Sequence, residues 1–315
     1  MTDITGLRRT EVGFAGAVRW KINDWLTRRP WLLHIVGARL TVFDVFGAPG
    51  DTLLTAIVCR RLHEHFPRIR INCLTPNPDL LRLDPNIDTL NGPETYVCLW
   101  HSYLDLIERR DRSTNVLRPT FDHLGIPRYE YRARVFLSKE ERAEASRRLG
   151  KTEKPVLAFN TKSKDPVKDW PLDLWIALLD GLRDQFTLVQ LGDNKEPEIS
   201  GVLRFAGRLT MRESMALLAC ARLHVGPDSF LMHAANGLDV PSVAIFGGSS
   251  TPGRAGYREN VNLFTEMPCG PCRIDASKGE QCGFDLACLK KTSVEQVYQS
   301  VLSLWNKISG PTPEK

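Results

Sequence analysis

The chain has 315 residues, 42% hydrophobic and 25% charged, with a formal net charge of +5. That is long enough for two domains and ordinary for a soluble globular protein. The mild basicity suits an anionic substrate or a lipid headgroup surface without requiring either. No stretch reaches the ~18 apolar residues of a transmembrane helix, and no apolar core precedes a cleavage site at the N-terminus, so a cytoplasmic chain with free thiols is expected. Residues 1–39 read as an amphipathic helical extension, one or two helices broken at Pro30. Its tryptophans Trp20, Trp25 and Trp31 mix with Arg19, Lys21, Arg28 and Arg29. Such a helix can lie on an anionic membrane surface, here through residues 14–36, or pack on the body of the protein.

Leu40–Phe46 is the first clear strand, followed by the glycine-bearing loop Gly47–Thr52 and a helix from Leu53 to Phe66, stopped by Pro67. Arg70–Leu74 is the next strand, so the region starts a βαβ unit. The loop is neither a P-loop nor a dinucleotide fingerprint, because it has no Lys-Ser/Thr after its second glycine and no three-glycine pattern. It presents Asp51 at a helix start on the carboxyl edge of a sheet. Asp51 either caps that helix or serves as a base, and the helix dipole favours its ionised form. Tyr96–Trp100 reads as a further strand in a proline-broken stretch, and Ser138 opens a charged helix running to Leu149. The polar segment Gly150–Lys154 marks a domain boundary, giving domains over 40–150 and 151–315.

The second half is more regular. A strand Pro155–Phe159 leads into the lysine-bearing loop Asn160–Trp170, a helix Leu172–Gln185, a strand Phe186–Leu191 and the turn Gly192-Asp193-Asn194. Leu203–Gly207 is a short strand, and Thr210 with Glu213 forms a capping-box pattern. Leu223–Gly248 then reads strand, Gly226-Pro227 turn, helix from Phe230 closed by Gly237, and buried strand Ser242–Phe246. Asp228 and Ser229 occupy the N-cap region, a plain cap or an anion site. The carboxyl edge of this doubly wound sheet collects Lys162, Lys168, Glu196, Asp228 and Ser229, which suits a diphosphate. No nucleic-acid motif occurs, so no nucleic-acid partner is expected.

Cys59, Cys73, Cys98 and Cys220 sit in apolar surroundings and read as buried small hydrophobes. Cys269, Cys272, Cys282 and Cys288, in a Cys-rich loop over 269–288, have the spacing of metal ligands. They suit a closed structural site for zinc or iron; free thiols or a redox pair are the alternatives.

Four motifs in order, GDTLLT from Gly50, KDWP from Lys168, GPDSFLMHAA from Gly226 and PSVAIFG from Pro241, resemble glycosyltransferase family 9 over roughly residues 40–305. That family contains the ADP-heptose:lipopolysaccharide heptosyltransferases. The resemblance implies an α/β GT-B fold, two Rossmann-like doubly wound domains facing a cleft. It also implies an inverting transfer of a sugar, ADP-heptose being the favoured donor, to a lipopolysaccharide-core or other glycolipid or glycan acceptor. A protein acceptor, as in autotransporter heptosylation, and a non-catalytic nucleotide-sugar binder of the same fold are the alternatives. By the resemblance, Asp51 is the general base, Lys168 and Thr161 contact the diphosphate, and Asp228 with the backbone of Ser229, Phe230 and Leu231 holds sugar and phosphates. His233 supports that loop, Leu209 lies against the adenine, and Glu196 is a candidate for the ribose. No Asp-x-Asp motif occurs, so no catalytic Mg²⁺ or Mn²⁺ is expected. The chain departs from the family in three places: Phe230 replaces the usual Gly, the Pro-Gly pair after Phe159 is missing, and the first forty residues precede the usual family start.

Overall fold

A computed structural model describes residues 14–272 and 282–309. The chain divides into two compact units, Met1–Arg109 with Thr114–Phe136, and Arg110–Ser113 with Leu137–Lys315.

The first unit opens with α1 (Phe14–Thr27) and α2 (Pro30–Val36), separated where expected, with Pro30 at the first helical position and Gly37 as a left-handed C-cap. Then come β1 (Arg39–Asp44), α3 (Pro49–His65), β2 (Arg70–Leu74), β3 (Thr89–Leu90), β4 (Val97–His101), α4 (Leu104–Glu108) and α5 (Arg118–His123). The strands form one parallel sheet in the order β3-β2-β1-β4. One sequence expectation changes here. The segment read as a loop to Thr52 is already helical from Pro49, because the fixed φ of proline and its missing N–H suit the first helical position.

The second unit contains α6 (Lys139–Leu149), β5 (Val156–Phe159), α7 (Leu172–Leu182), β6 (Thr187–Gln190), β7 (Leu203–Arg204), α8 (Met211–Leu218), β8 (Leu223–Pro227) and α9 (Phe230–Gly237). It continues with β9 (Ser242–Phe246), α10 (Pro252–Ala255), β10 (Val261–Phe264), α11 (Ala287–Lys290) and α12 (Val294–Ser309). The sheet is parallel throughout, β10-β9-β8-β5-β6-β7. Counted from β5, this is the Rossmann order, and the first unit's sheet repeats its first four strands.

The division between the units falls before Leu137, ahead of the expected 150. The charged helix α6 belongs with the second unit because it packs on α8, where the buried Arg212 meets Glu141, its Nη2 donating at 2.9 Å. Both helices carry full capping boxes, Ser138 with Glu141 and Thr210 with Glu213. The core of this unit joins Phe159, Trp170, Trp175 and Leu178 to Val297, Val301 and Leu304 of the terminal helix. Trp170 and Trp175 meet edge to face at 5.3 Å, and the Trp170 indole donates to the Thr292 carbonyl at 3.0 Å. α9 also differs from expectation at its end. Gly237 is its last helical residue, and the left-handed turn falls on Asp239 (φ 59°).

Candidate functional site

In a doubly wound sheet the loops leaving the two strands at the reversal of strand order diverge and open a crevice at the carboxyl edge. In the second unit those strands are β5 and β8, paired in parallel from Leu157↔Leu223 to Phe159↔Val225. Asn160, immediately after β5, ties the two loops together. Its amide Nδ2 donates to the Lys162 carbonyl at 2.8 Å and to the Ser229 hydroxyl at 3.2 Å. Its Oδ1 lies 3.1 Å from Nε2 of His224, so that nitrogen carries the proton, and the Ser242 hydroxyl faces Nδ1 at 3.2 Å. Burial lowers the His224 pKa to about 3, so the ring is neutral. A Cβ on Gly226 would stand 2.4 Å from Asn160 Oδ1, so the strand needs glycine there.

Thr161 and Glu196 meet each other. The Glu196 carboxylate accepts from the Thr161 hydroxyl at 2.7 Å, the Thr161 amide at 2.9 Å and the Lys162 amide at 2.9 Å. Burial raises its pKa against the pull of these donors. Gly192 makes room for it, with φ of 122° and space for no Cβ, which would lie 2.7 Å from the carboxylate. Asp169 braces the same loop. It accepts from the Ser163 amide at 2.7 Å and faces the Lys162 ammonium at 3.3 Å.

Lys168 and Asp228 form the charged centre. The ammonium is 2.8 Å from Asp228 Oδ2, and the aspartate side chain is 5% exposed. Burial acts most strongly and against the carboxylate, but the Lys168 charge, His233 and hydrogen bonds from Lys168 and Ser250 together outweigh it, so the Asp228 pKa lies below its ordinary value. Ser229 is the extended N-cap of α9, and no side chain caps the helix. Phe230 is half-buried and Leu231 buried in its first turn, where backbone N–H groups have no intrahelical acceptor. His233 lies buried one turn further on. Its Nδ1 is 2.8 Å from the Tyr257 hydroxyl, and burial lowers its pKa to about 4, so it too is neutral. Leu209 stands apart from this hydrogen-bonded group, half-buried in the turn before the Thr210 cap.

In the first unit the strand order reverses between β1 and β4, and the residues that follow them meet. Asp51, in the first turn of α3, accepts a 2.5 Å hydrogen bond from Tyr103, which follows β4. The Tyr103 ring stacks on Phe46 at 4.2 Å. Beneath them Asp44, at the end of β1, accepts from the hydroxyls of Thr52 at 2.5 Å and Thr75 at 2.8 Å and from the Gly47 amide at 3.0 Å. Asn77 completes the brace by donating to the Gly47 carbonyl and the Thr52 hydroxyl.

The sequence reading missed Asn160, His224, Tyr257, Asp44 and Tyr103. A polar residue directly after a strand flags Asn160; Tyr103 has no such local sign.

The cysteine loop is described only in part, its residues 273–281 lying outside the described set. Burial and the neighbouring thiols of Cys269, Cys288 and Cys282 push Cys272 up to about 11. Among the described residues, however, no three His, Cys, Asp or Glu side chains are grouped so as to hold a metal ion. The expected four-thiolate site is therefore not closed in this arrangement.

Residues 111–282, more than half the chain, match the model of glycosyltransferase family 9 (heptosyltransferase). Over 130 residues, 38% of this chain, the sequence is 34% identical to lipopolysaccharide heptosyltransferase 1 of Pseudomonas aeruginosa, and that match spans 36% of the relative's length. A glycosyl transferase family 9 structure from Veillonella parvula superposes with a TM-score of 0.64 at 16% identity, covering 85% of this chain and 97% of that one. ADP-heptose lps heptosyltransferase II of E. coli gives 0.61 at 15% identity, with 87% and 100% covered. The iron-containing dodecameric glycosyltransferase TibC of enterotoxigenic E. coli gives 0.65 at 19% identity, with 87% and 80% covered. These likenesses establish a GT-B-type α/β architecture, and with the family match they show that the chain belongs to glycosyltransferase family 9.

Proposed function

We propose that this chain transfers a sugar from a nucleotide-diphosphate donor, ADP-heptose being favoured, to a glycolipid or glycan acceptor such as a lipopolysaccharide core. The observation that carries the reading is the Lys168 ammonium held beside Asp228 at the open N-terminus of α9. As the sugar departs, charge builds on the nucleoside diphosphate, and a fixed ammonium and helix-end N–H groups are placed to stabilise it. Asp51 takes the proton of the attacking hydroxyl. One carboxylate is enough for a single displacement with inversion, because no covalent intermediate has to form. Lys168 and the helix end supply the positive charge that a catalytic metal ion supplies elsewhere. Two structural neighbours, TibC with ADP-D-β-D-heptose and WaaC with ADP, support the choice of nucleotide.

The test is a thermal-shift panel of the purified protein with ADP, GDP, UDP and ADP-heptose. Stabilisation by the adenine compounds alone is the expected result. Stabilisation only by GDP or UDP keeps the transferase and discards the heptose. No shift with any of them overturns donor binding at this edge.

A structural zinc or iron ion held by Cys269, Cys272, Cys282 and Cys288 belongs to the same reading. It is supported by the thiols gathered near Cys272 and requires them to close further than they stand here. Metal analysis of the purified chain tests it: about one ion per chain is expected, and four freely titrating thiols without metal would remove it.

A further inference from the structure

α1 is docked by its polar side. Asn23, 6% exposed, donates to the Cys98 carbonyl at 2.8 Å and accepts from the Cys98 amide at 2.7 Å. Thr27, buried one turn on, is 2.8 Å from the His123 ring. The opposite side of α1 carries Val18, Ile22 and Trp25, spaced i, i+4, i+7 and all exposed. α2 buries Pro30 and Leu33 and adds further exposed apolar residues, Trp31, Ile35 and Val36, Val36 being 72% exposed. A surface helix ordinarily turns its apolar stripe inward. Here α1 turns it outward, and α2, next in the chain, adds three exposed apolar side chains, more than scattered single residues.

Cations line this face. Lys21 and Arg28 stand four residues before and three after Trp25, and the Arg29 guanidinium lies over the Trp25 ring at 4.8 Å. Residues 14–36 hold four Lys or Arg against the single carboxylate of Asp24, which pairs with Arg28. A surface built to bury against another protein loses its lysines at the centre. A surface built for an anionic bilayer keeps them beside its tryptophans, their stems along the apolar face and their charges toward the headgroups.

We infer that the outward face of α1 and α2 seats on an anionic phospholipid surface. This goes beyond the transfer reaction and needs neither donor nor acceptor. The test is flotation of the full chain with vesicles of phosphatidylglycerol and phosphatidylethanolamine, against phosphatidylcholine alone. Binding to the anionic vesicles is expected, several-fold weaker at high salt and at least tenfold weaker in an Ile22→Ser/Trp25→Ser variant. Both side chains are exposed, so the variant keeps its fold, which circular dichroism checks. Lys21→Glu weakens binding to the anionic vesicles while leaving the apolar stripe intact. Three results would overturn the inference. One is equal binding of variant and parent. Another is no vesicle binding together with a sedimenting dimer that the double variant disperses, which gives the face to a second copy. The third is binding that appears only after residues 1–13 are removed, which gives it to the chain's own N-terminal residues.

Discussion

The two parallel sheets place their candidate residues at the same topological position and hold them by different means. In the loops after β5, β6 and β8, Asp169, Glu196 and Asp228 are buried, and each is bound by two or more donors or by a lysine. After β1 and β4, the carboxylate of chemical interest, Asp51, is half-exposed and accepts from the Tyr103 phenol, while the buried acid beneath it, Asp44, braces the loop. A site that must hold a fixed anion gains from charges locked in a low-dielectric setting. A base that must meet an incoming hydroxyl has to stay accessible. On the function proposed above, the contrast separates a rigid charged cradle from a presented base, and substitutions can test each side of it.

The largest effect is expected at Asp51. Asp51→Asn lowers turnover by about 10²- to 10⁴-fold, the range for losing a general base, with donor affinity measured by calorimetry unchanged. A parallel loss of affinity would erase the distinction. Lys168→Met comes next, because it strands the buried Asp228 charge. A loss near the lower end of the ~3–5 kcal/mol expected for a broken buried pair is anticipated in denaturant unfolding, since Lys168 is partly exposed. This loss has a pH signature. The depressed pKa of Asp228 contributes stability that is present above the unfolded carboxyl pKa and disappears as pH falls through the folded value. Lys168→Met should therefore flatten the acid limb of the stability profile.

Glu196→Gln removes a weaker set of bonds and should cost about 1–3 kcal/mol, the penalty for a buried group left partly unsatisfied. Its pH dependence has the opposite sign. A carboxyl whose folded pKa is raised loses stability as pH rises from the unfolded value through the folded one, and Gln abolishes that decline. The smallest effect is expected for Tyr103→Phe. About 1 kcal/mol, or roughly fivefold in turnover, is expected from one lost hydrogen bond, with the melting temperature nearly unchanged. A melting shift as large as that of Lys168→Met would show that Tyr103 is part of a rigid cradle after all.

Much of this architecture is legible in the residues because its elements are short and locally punctuated. Apolar runs ending in Gly-Pro, Asn or Gly-Gly mark the strands of the second unit, and the capping boxes at Ser138 and Thr210 mark helix starts. Legibility fails where the cause is distant. Tyr103 and Asp51 are 52 positions apart and meet only because β4 lies beside β1. Glu196 reaches Thr161 across 35 positions. The place of α6 has the same kind of cause: a polar stretch at 150–154 looks like a linker, while α6 is held to α8 by Arg212 on Glu141, 71 positions away. The motif before α9 was readable residue by residue, yet the neutral state of His233 follows only from its burial against Tyr257.

β4 is the last strand of its sheet, and α1 lies over it. The Asn23 amide is a side-chain stand-in for one more strand, since it occupies both the donor and the acceptor of Cys98. Without it, these peptide groups would be open to pairing with any extended segment, including the same strand of another molecule. The helix therefore also guards solubility. A chain shortened past Asn23 would be prone to join sheets edge to edge, and its failure in solution would be a defect of self-recognition, with the loops at the carboxyl edge of the sheet still intact.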